Sequence, residues 1–272
     1  MSDILAPPFL TIALTGTPGT GKTEVSKIME EEGYHVLHLT EFIREQKIPS
    51  ERDEERNCDI IDMDALEEAV FEYQRQAHRL YAHHFIENKL TFEDFHKNAA
   101  DLPVLLIESH MAHYLCDLSI VLRTHPNTLK IRLDERGYSE KKVMENILAE
   151  SIDVVLCDCY DYCRRVYEID TTAITVSETM ACLKELIHAL YEDELQKYSE
   201  LNDKMNSCAG DYELQQAIAA GVPLADILST RDEEDNGAVV YTDDNEPDFV
   251  IETNPILLKY IPGKNDWSEV VR

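Results

Sequence analysis

Gly16-Thr17-Pro18-Gly19-Thr20-Gly21-Lys22-Thr23 satisfies every position of the pattern G-x-x-x-x-G-K-[ST], and few eight-residue stretches restrict a fold as strongly. Such a turn points successive backbone N–H groups at a phosphate, which works only between the end of a buried strand and the start of a helix. The flanks supply both. Phe9-Leu10-Thr11-Ile12-Ala13-Leu14 is a short apolar run with β-branched content, and a helical pattern follows from Lys22 to Glu32. Without those flanks the stretch would be a glycine-rich turn and nothing more. With them, Gly16, Gly19, Thr20 and Gly21 are expected to cradle the phosphates of a nucleotide, with Glu24 beside them. Lys22 supplies a point charge for the β and γ oxygens, the Thr23 hydroxyl offers a ligand to Mg²⁺, and the helix start adds its positive dipole end.

The rest of the chain alternates in the same way. Strand-like runs recur at His35 to Leu39, Pro103 to Ile107, Leu118 to Leu122 and Val166 to Ile169. Helical stretches are expected over Asp64 to about Asn88, Asn127 to Arg136, Glu140 to about Arg165 and Ser177 to about Ser199. Alternating strands and helices predict an α/β fold with a parallel sheet flanked by helices. From about Asn202 to Pro255 the pattern lapses into acidic, turn-rich sequence such as RDEEDNG and YTDDNEPD. That segment is expected to lie outside the sheet, partly disordered or packed on the surface.

Leu105-Leu106-Ile107-Glu108 reads as a buried strand ending in a carboxylate, where phosphate-loop proteins keep the acid that orients Mg²⁺. A solvated acid at a strand exit is the plain alternative. His110 and His113 stand three apart and would share a helix face; His110 is expected to position a group near the phosphates, and His113 to be structural. His78, His83 and His84 receive no role. The CDCYDYC stretch from Cys157 to Cys163 reads as packed thiols on a helix, since no second paired motif offers a metal the remaining ligands.

Charge narrows the function classes. The net charge of −29 argues against a broad nucleic-acid surface, which needs clustered Lys and Arg, and favours a basic protein partner or plain solubility. No apolar run approaches a membrane span, the N-terminus lacks a signal-peptide pattern, and seven cysteines fit a reducing, cytoplasmic setting. In so acidic a chain the basic residues near the motifs stand out. Arg123 follows a strand; Arg132 reads as a surface helix arginine; Arg136 precedes Gly137, a natural left-handed helix stop that leaves Arg136 at a hinge.

Taken together, LTGTPGTGKTEVS, DEERNCDIIDMDAL, IESHMAHYL, IVLRTHPNTLKIRLDERGYSEKKVMENILAES, VYEID and PGKNDWSEVV resemble the adenylate kinase isoenzyme 6 type family, small phosphate-loop kinases and ATPases of archaea and eukaryotes. The resemblance spans most of residues 9 to 190 and the last ten or so. It implies a nucleoside monophosphate (NMP) kinase fold: a five-stranded parallel sheet, an NMP-binding insertion at about residues 37–61 and a short lid at about 135–145. The expected division is a kinase domain over 9–200, an acidic insertion over 201–255 and a tail over 256–272 that returns to the family pattern.

By the same resemblance, Arg136 is the lid arginine that contacts ATP, and Arg44 meets the NMP phosphate, with Arg56 a second candidate. Glu108 and His110 match the family's acid-x-His pair, with Glu in place of the Asp of the eukaryotic branch. The implied activity is ATP + AMP ⇌ 2 ADP with Mg²⁺, alongside ATP hydrolysis, in late small ribosomal subunit maturation and pre-rRNA processing, bound to a basic ribosomal protein. The chain departs from the family by extra residues between Asp64 and Pro103 and by the acidic segment. A ribosome-assembly ATPase with secondary kinase activity, and a small-molecule kinase of the shikimate type, are the alternatives.

Overall fold

The computed structural model describes residues 8–53, 58–88, 102–207, 254–263, 265 and 267. The chain forms β1 (Leu10–Thr15), α1 (Lys22–Glu31), β2 (His35–His38), α2 (Leu39–Gln46), β3 (Ser50–Asp53), β4 (Cys58–Ile61), α3 (Met63–Asn88) and β5 (Val104–Glu108). A 3-10 turn (Ala112–Leu115) leads to β6 (Leu118–Arg123), α4 (Pro126–Glu135), α5 (Glu140–Ser151), α6 (Val154–Tyr162), β7 (Arg165–Asp170) and α7 (Val176–Ser207), and a last 3-10 turn spans Leu257–Tyr260.

Five strands make one parallel sheet in the order β2-β5-β1-β6-β7. Every residue of β5 and β6 is buried, which is why these strands read as unbroken apolar runs and not as alternating patterns. Because β1 connects to β2 on one side and lies against β6 on the other, the winding of the chain reverses at the carboxyl ends of β1 and β5. That is where open α/β sheets take their ligands. The expected fold class is the one observed.

Residues 37–61 contain α2 and an antiparallel hairpin, in which Ser50 lies opposite Ile61 and Asp53 opposite Cys58. Periodicity did not mark the hairpin because its strands are four residues each and β3 is charged at three of its four positions. The predicted helix from Glu140 to about Arg165 is in fact two. α5 ends at Ser151, and Asp153 takes φ 59°, a left-handed conformation that caps α6 and breaks the axis. α7 runs eight residues past its expected end. The chain divides into two compact units, Met1–Asp193 with Phe249–Arg272, and Glu194–Asp248. Of the second, the described part is the end of α7. The expectations for residues 89–101, Arg56 and most of the acidic segment lie outside the described residues. Among the described residues no helix is long and apolar enough to cross a membrane.

His110 and His113 do not share a helix face. His113 belongs to the 3-10 turn and is buried, with Nδ1 3.3 Å from the Thr15 hydroxyl, whereas His110 precedes the turn and is exposed. Burial pushes the His113 imidazole down to about 4, against the pull of Asp158 and with help from His110. Tyr114 and Tyr162 complete its surroundings. The unfolded chain therefore takes up this proton near pH 6.5 and the folded chain only near 4, so His113 costs stability as pH falls through that window. His113→Gln should remove on the order of 2 kcal/mol of acid-side loss between those limits, read as the difference between the two proteins' denaturant midpoints. Parallel pH profiles would show that the buried imidazole is not the cause. The thiols of the 157–163 stretch are packed as expected at Cys159 and Cys163, and the Cys163 Sγ–H donates to the carbonyls of Cys116 at 3.1 Å and His113 at 3.4 Å. Cys157 is exposed.

Candidate functional site

The phosphate loop connects β1 to α1 as its sequence requires. Gly16, Gly19 and Gly21 have φ of 135°, 99° and 102°, a region L side chains avoid. Gly16 also has no room for a side chain: a Cβ there would stand 2.3 Å from the carbonyl oxygen of Leu122, a main-chain atom of β6. Gly21 caps α1, whose first N–H groups have no partner inside the helix and face the loop.

Lys22 is buried at 7% exposure and reaches back over the loop. Its ammonium donates to the carbonyls of Gly16 at 2.6 Å and Thr17 at 3.1 Å. Burial drags its pKa down to about 8; Glu108 and Glu150 pull the other way, and Arg136 adds to the depression. Those influences place Glu108 and Arg136 within electrostatic reach of the loop lysine.

Glu108 closes β5, level with Leu14 of β1 and His38 of β2. Its Oε1 accepts from the Thr23 hydroxyl at 3.1 Å, and its Oε2 lies 3.2 Å from His38 Nδ1. His38, whose Nε2 is 3.6 Å from Glu30, was missed from sequence, because only strand register reveals that it flanks the acid. His110 lies two residues beyond Glu108. Desolvation and then the charge of Lys22 lower its pKa, against the pull of Glu108.

Beside the loop opens a cleft of about 380 Å³, lined by Gly19, Thr20, Gly21, Glu24, Arg132, Arg136 and Thr171 among others. Arg136 is exposed at the end of α4. Gly137, at φ 71°, stops the helix as expected, and its N–H bonds the carbonyl of Asp134 at 2.9 Å. Arg132 corrects its sequence reading. It is not a free surface arginine: it bonds the hydroxyls of Thr124 at 3.1 Å and Thr171 at 3.2 Å and the Thr171 carbonyl at 2.8 Å. Burial and the neighbouring Arg136 lower its pKa, while Glu24 and Asp170 oppose. Arg44 stands apart from this cluster, exposed in the last turn of α2.

One hydroxyl and one carboxylate oxygen together at the loop's mouth form a donor set that fits Mg²⁺, a hard cation that takes few protein oxygens and keeps several waters. Thr23 and Glu108 are the residues that would hold it.

Comparison with known proteins bears on the family of the chain. Residues 12–153 match the model of a family described as an AAA domain. A Methanosarcina mazei protein named "Putative adenylate kinase" is 41% identical over 196 residues, covering 70% of this chain and 94% of that protein. A Methanocaldococcus jannaschii protein of the same name is 36% identical over 165 residues, covering 60% and 77%. Among solved structures, a shikimate kinase from Bacteroides thetaiotaomicron covers 66% of this chain and 98% of its own at TM-score 0.35 and 17% identity, a likeness too loose to bear on function. The family model spans more than half of the chain and a relative matches along nearly its whole length, so the protein belongs to the adenylate kinase-like P-loop family shared by these archaeal relatives.

Proposed function

We propose that the protein is a nucleoside monophosphate kinase catalysing ATP + AMP ⇌ 2 ADP with Mg²⁺, and that it also hydrolyses ATP. The observation that carries this is the convergence, at one mouth, of the phosphate loop, Lys22 and the Thr23–Glu108 pair. Phosphoryl transfer needs little covalent chemistry from a protein; it needs alignment and neutralisation of charge on the moving group. Lys22 holds two loop carbonyls, and phosphate oxygens would take their place as its acceptors. Mg²⁺, when bound, offsets negative charge on the phosphates. Thr23 and Glu108 anchor that end, Arg132 and Arg136 face the nucleotide from the cleft, and His110 presents a hydrogen bond to the phosphates or a water. The region at about 37–61 is the acceptor side and the turn at about 135–145 the lid. Arg44 meets the acceptor phosphate, and Arg56 is a second candidate there.

ADP formation measured with and without AMP tests the reading directly. Arg136→Ala should lower both reactions by about a hundredfold, whereas Arg44→Ala should raise the KM for AMP about tenfold and leave AMP-independent hydrolysis unchanged. Equal loss of hydrolysis in both variants would remove the acceptor role of Arg44. The charge of −29 supports a basic partner, and we read it as a basic small-subunit ribosomal protein met in the cytoplasm during ribosomal maturation and pre-rRNA processing. Association that weakens steeply with salt would bear that out.

A further inference from the structure

Arg123, at the end of β6, is 1% exposed and faces three carboxylates. Its Nε is 2.8 Å from Glu150 Oε1, its Nη2 2.5 Å from Asp153 Oδ1 and its Nη1 3.7 Å from Glu168 Oε2. Glu150, 2% exposed, accepts two further bonds. One comes from the Thr124 N–H at 3.0 Å; the other comes from the hydroxyl of Thr17, inside the phosphate loop. The carbonyl of Thr17 in turn collects the loop's own donors: the Thr20 N–H at 3.3 Å, the Thr20 hydroxyl at 3.0 Å and Lys22 Nζ at 3.1 Å. One buried carboxylate thus pins, from outside the loop, the residue on which the loop's internal bonds converge.

The C-terminal stretch covers this cluster. Trp267, the chain's only tryptophan, lies with its ring centre 4.8 Å from the Arg123 guanidinium and packs edge-on to His125. Asn265 Nδ2 donates to Glu168 Oε1 at 3.1 Å. Lys259 and the Tyr260 hydroxyl both hold Glu185 at 2.6 Å, fixing the approach of the stretch.

We propose that Glu150 is a positioning residue for the phosphate loop, acting through the Thr17 hydroxyl, and that Trp267 keeps its partner Arg123 covered, making the C-terminal stretch a working part of the nucleotide site. An ion pair this deep holds its geometry only while water is excluded and every partner is in place. The indole supplies the cover, and a cation–π contact is strongest when desolvated. Removal of the tether frees the Thr17 peptide to turn, and the cost falls on phosphate binding. The inference rests on the reading that the loop binds ATP.

Equilibrium titration of the intact chain with ATP alone tests it. Thr17→Val and Glu150→Leu should each raise the ATP Kd about tenfold, and the double variant should be no worse than either, because both cut one connection. Thr17→Ser should restore affinity to within about twofold, since it returns the hydroxyl. Trp267 emission should respond to ATP in the wild type and in Thr17→Ser, and lose the response in Thr17→Val. Trp267→Phe should bind ATP better than Trp267→Ala. If Glu150→Leu fails to fold, Thr17→Val, which keeps side-chain volume, still decides. Wild-type affinity in Thr17→Val, or multiplied losses in the double variant, would overturn the tether. These readouts need no acceptor, so they stand whether or not AMP is the substrate; a wild-type chain that does not bind ATP overturns the nucleotide reading and the tether together.

Discussion

Lys22→Ala is expected to abolish ADP formation, by at least about a thousandfold, while the melting temperature stays level or rises. The two halves have one cause. The ammonium is 7% exposed and has lost so much hydration that its pKa falls to about 8. Its bonds in the free protein go to two loop carbonyls. Deleting it relieves a desolvated charge, and the Thr17 carbonyl keeps both Thr20 donors, so the fold loses little. The reaction loses the cation that meets the phosphate oxygens. Turnover measured beside a thermal melt checks both, and near-wild-type turnover would remove the phosphate-loop assignment altogether.

Glu108→Gln should lower kcat by about a hundredfold and raise the Mg²⁺ concentration needed for half-maximal rate, with a smaller change in the KM for ATP. The substitution keeps the volume and can still accept from Thr23, which lies 3.1 Å from Oε1. What it removes is the negative charge. Rate measured against Mg²⁺ at saturating ATP reads the effect. An unchanged Mg²⁺ dependence would return Glu108 to a purely structural place at the strand end.

The fold was legible wherever a local pattern and its burial coincide. β1, β5 and β6 are short apolar runs because both faces of the sheet are covered, and the loop between β1 and α1 announces itself through glycines that no other residue can replace. The single helix expected from Glu140 onward failed because apolar periodicity continues straight through Asp153, and the break depends on one residue's left-handed backbone. Pairings across the sheet were the least readable. His38 meets Glu108 only because β2 and β5 lie side by side in register. Arg132 looked like a solvent residue because its partners, Thr124 and Thr171, come from the ends of two other strands. Glu150 and Thr17 are 133 residues apart, so nothing local to either announces the bond.

Trp267 reaches Arg123 from the far side of residues 208–253, and the stretch that carries it is held by the chain as an intramolecular ligand. Its occupancy is set by an effective concentration, and not by the amount of protein present. Such docking requires only that residues 208–253 remain one unbroken connection. A single backbone cut within it would be another matter. The terminal peptide would then have to find Arg123 by diffusion, and its seat over the guanidinium would depend on dilution.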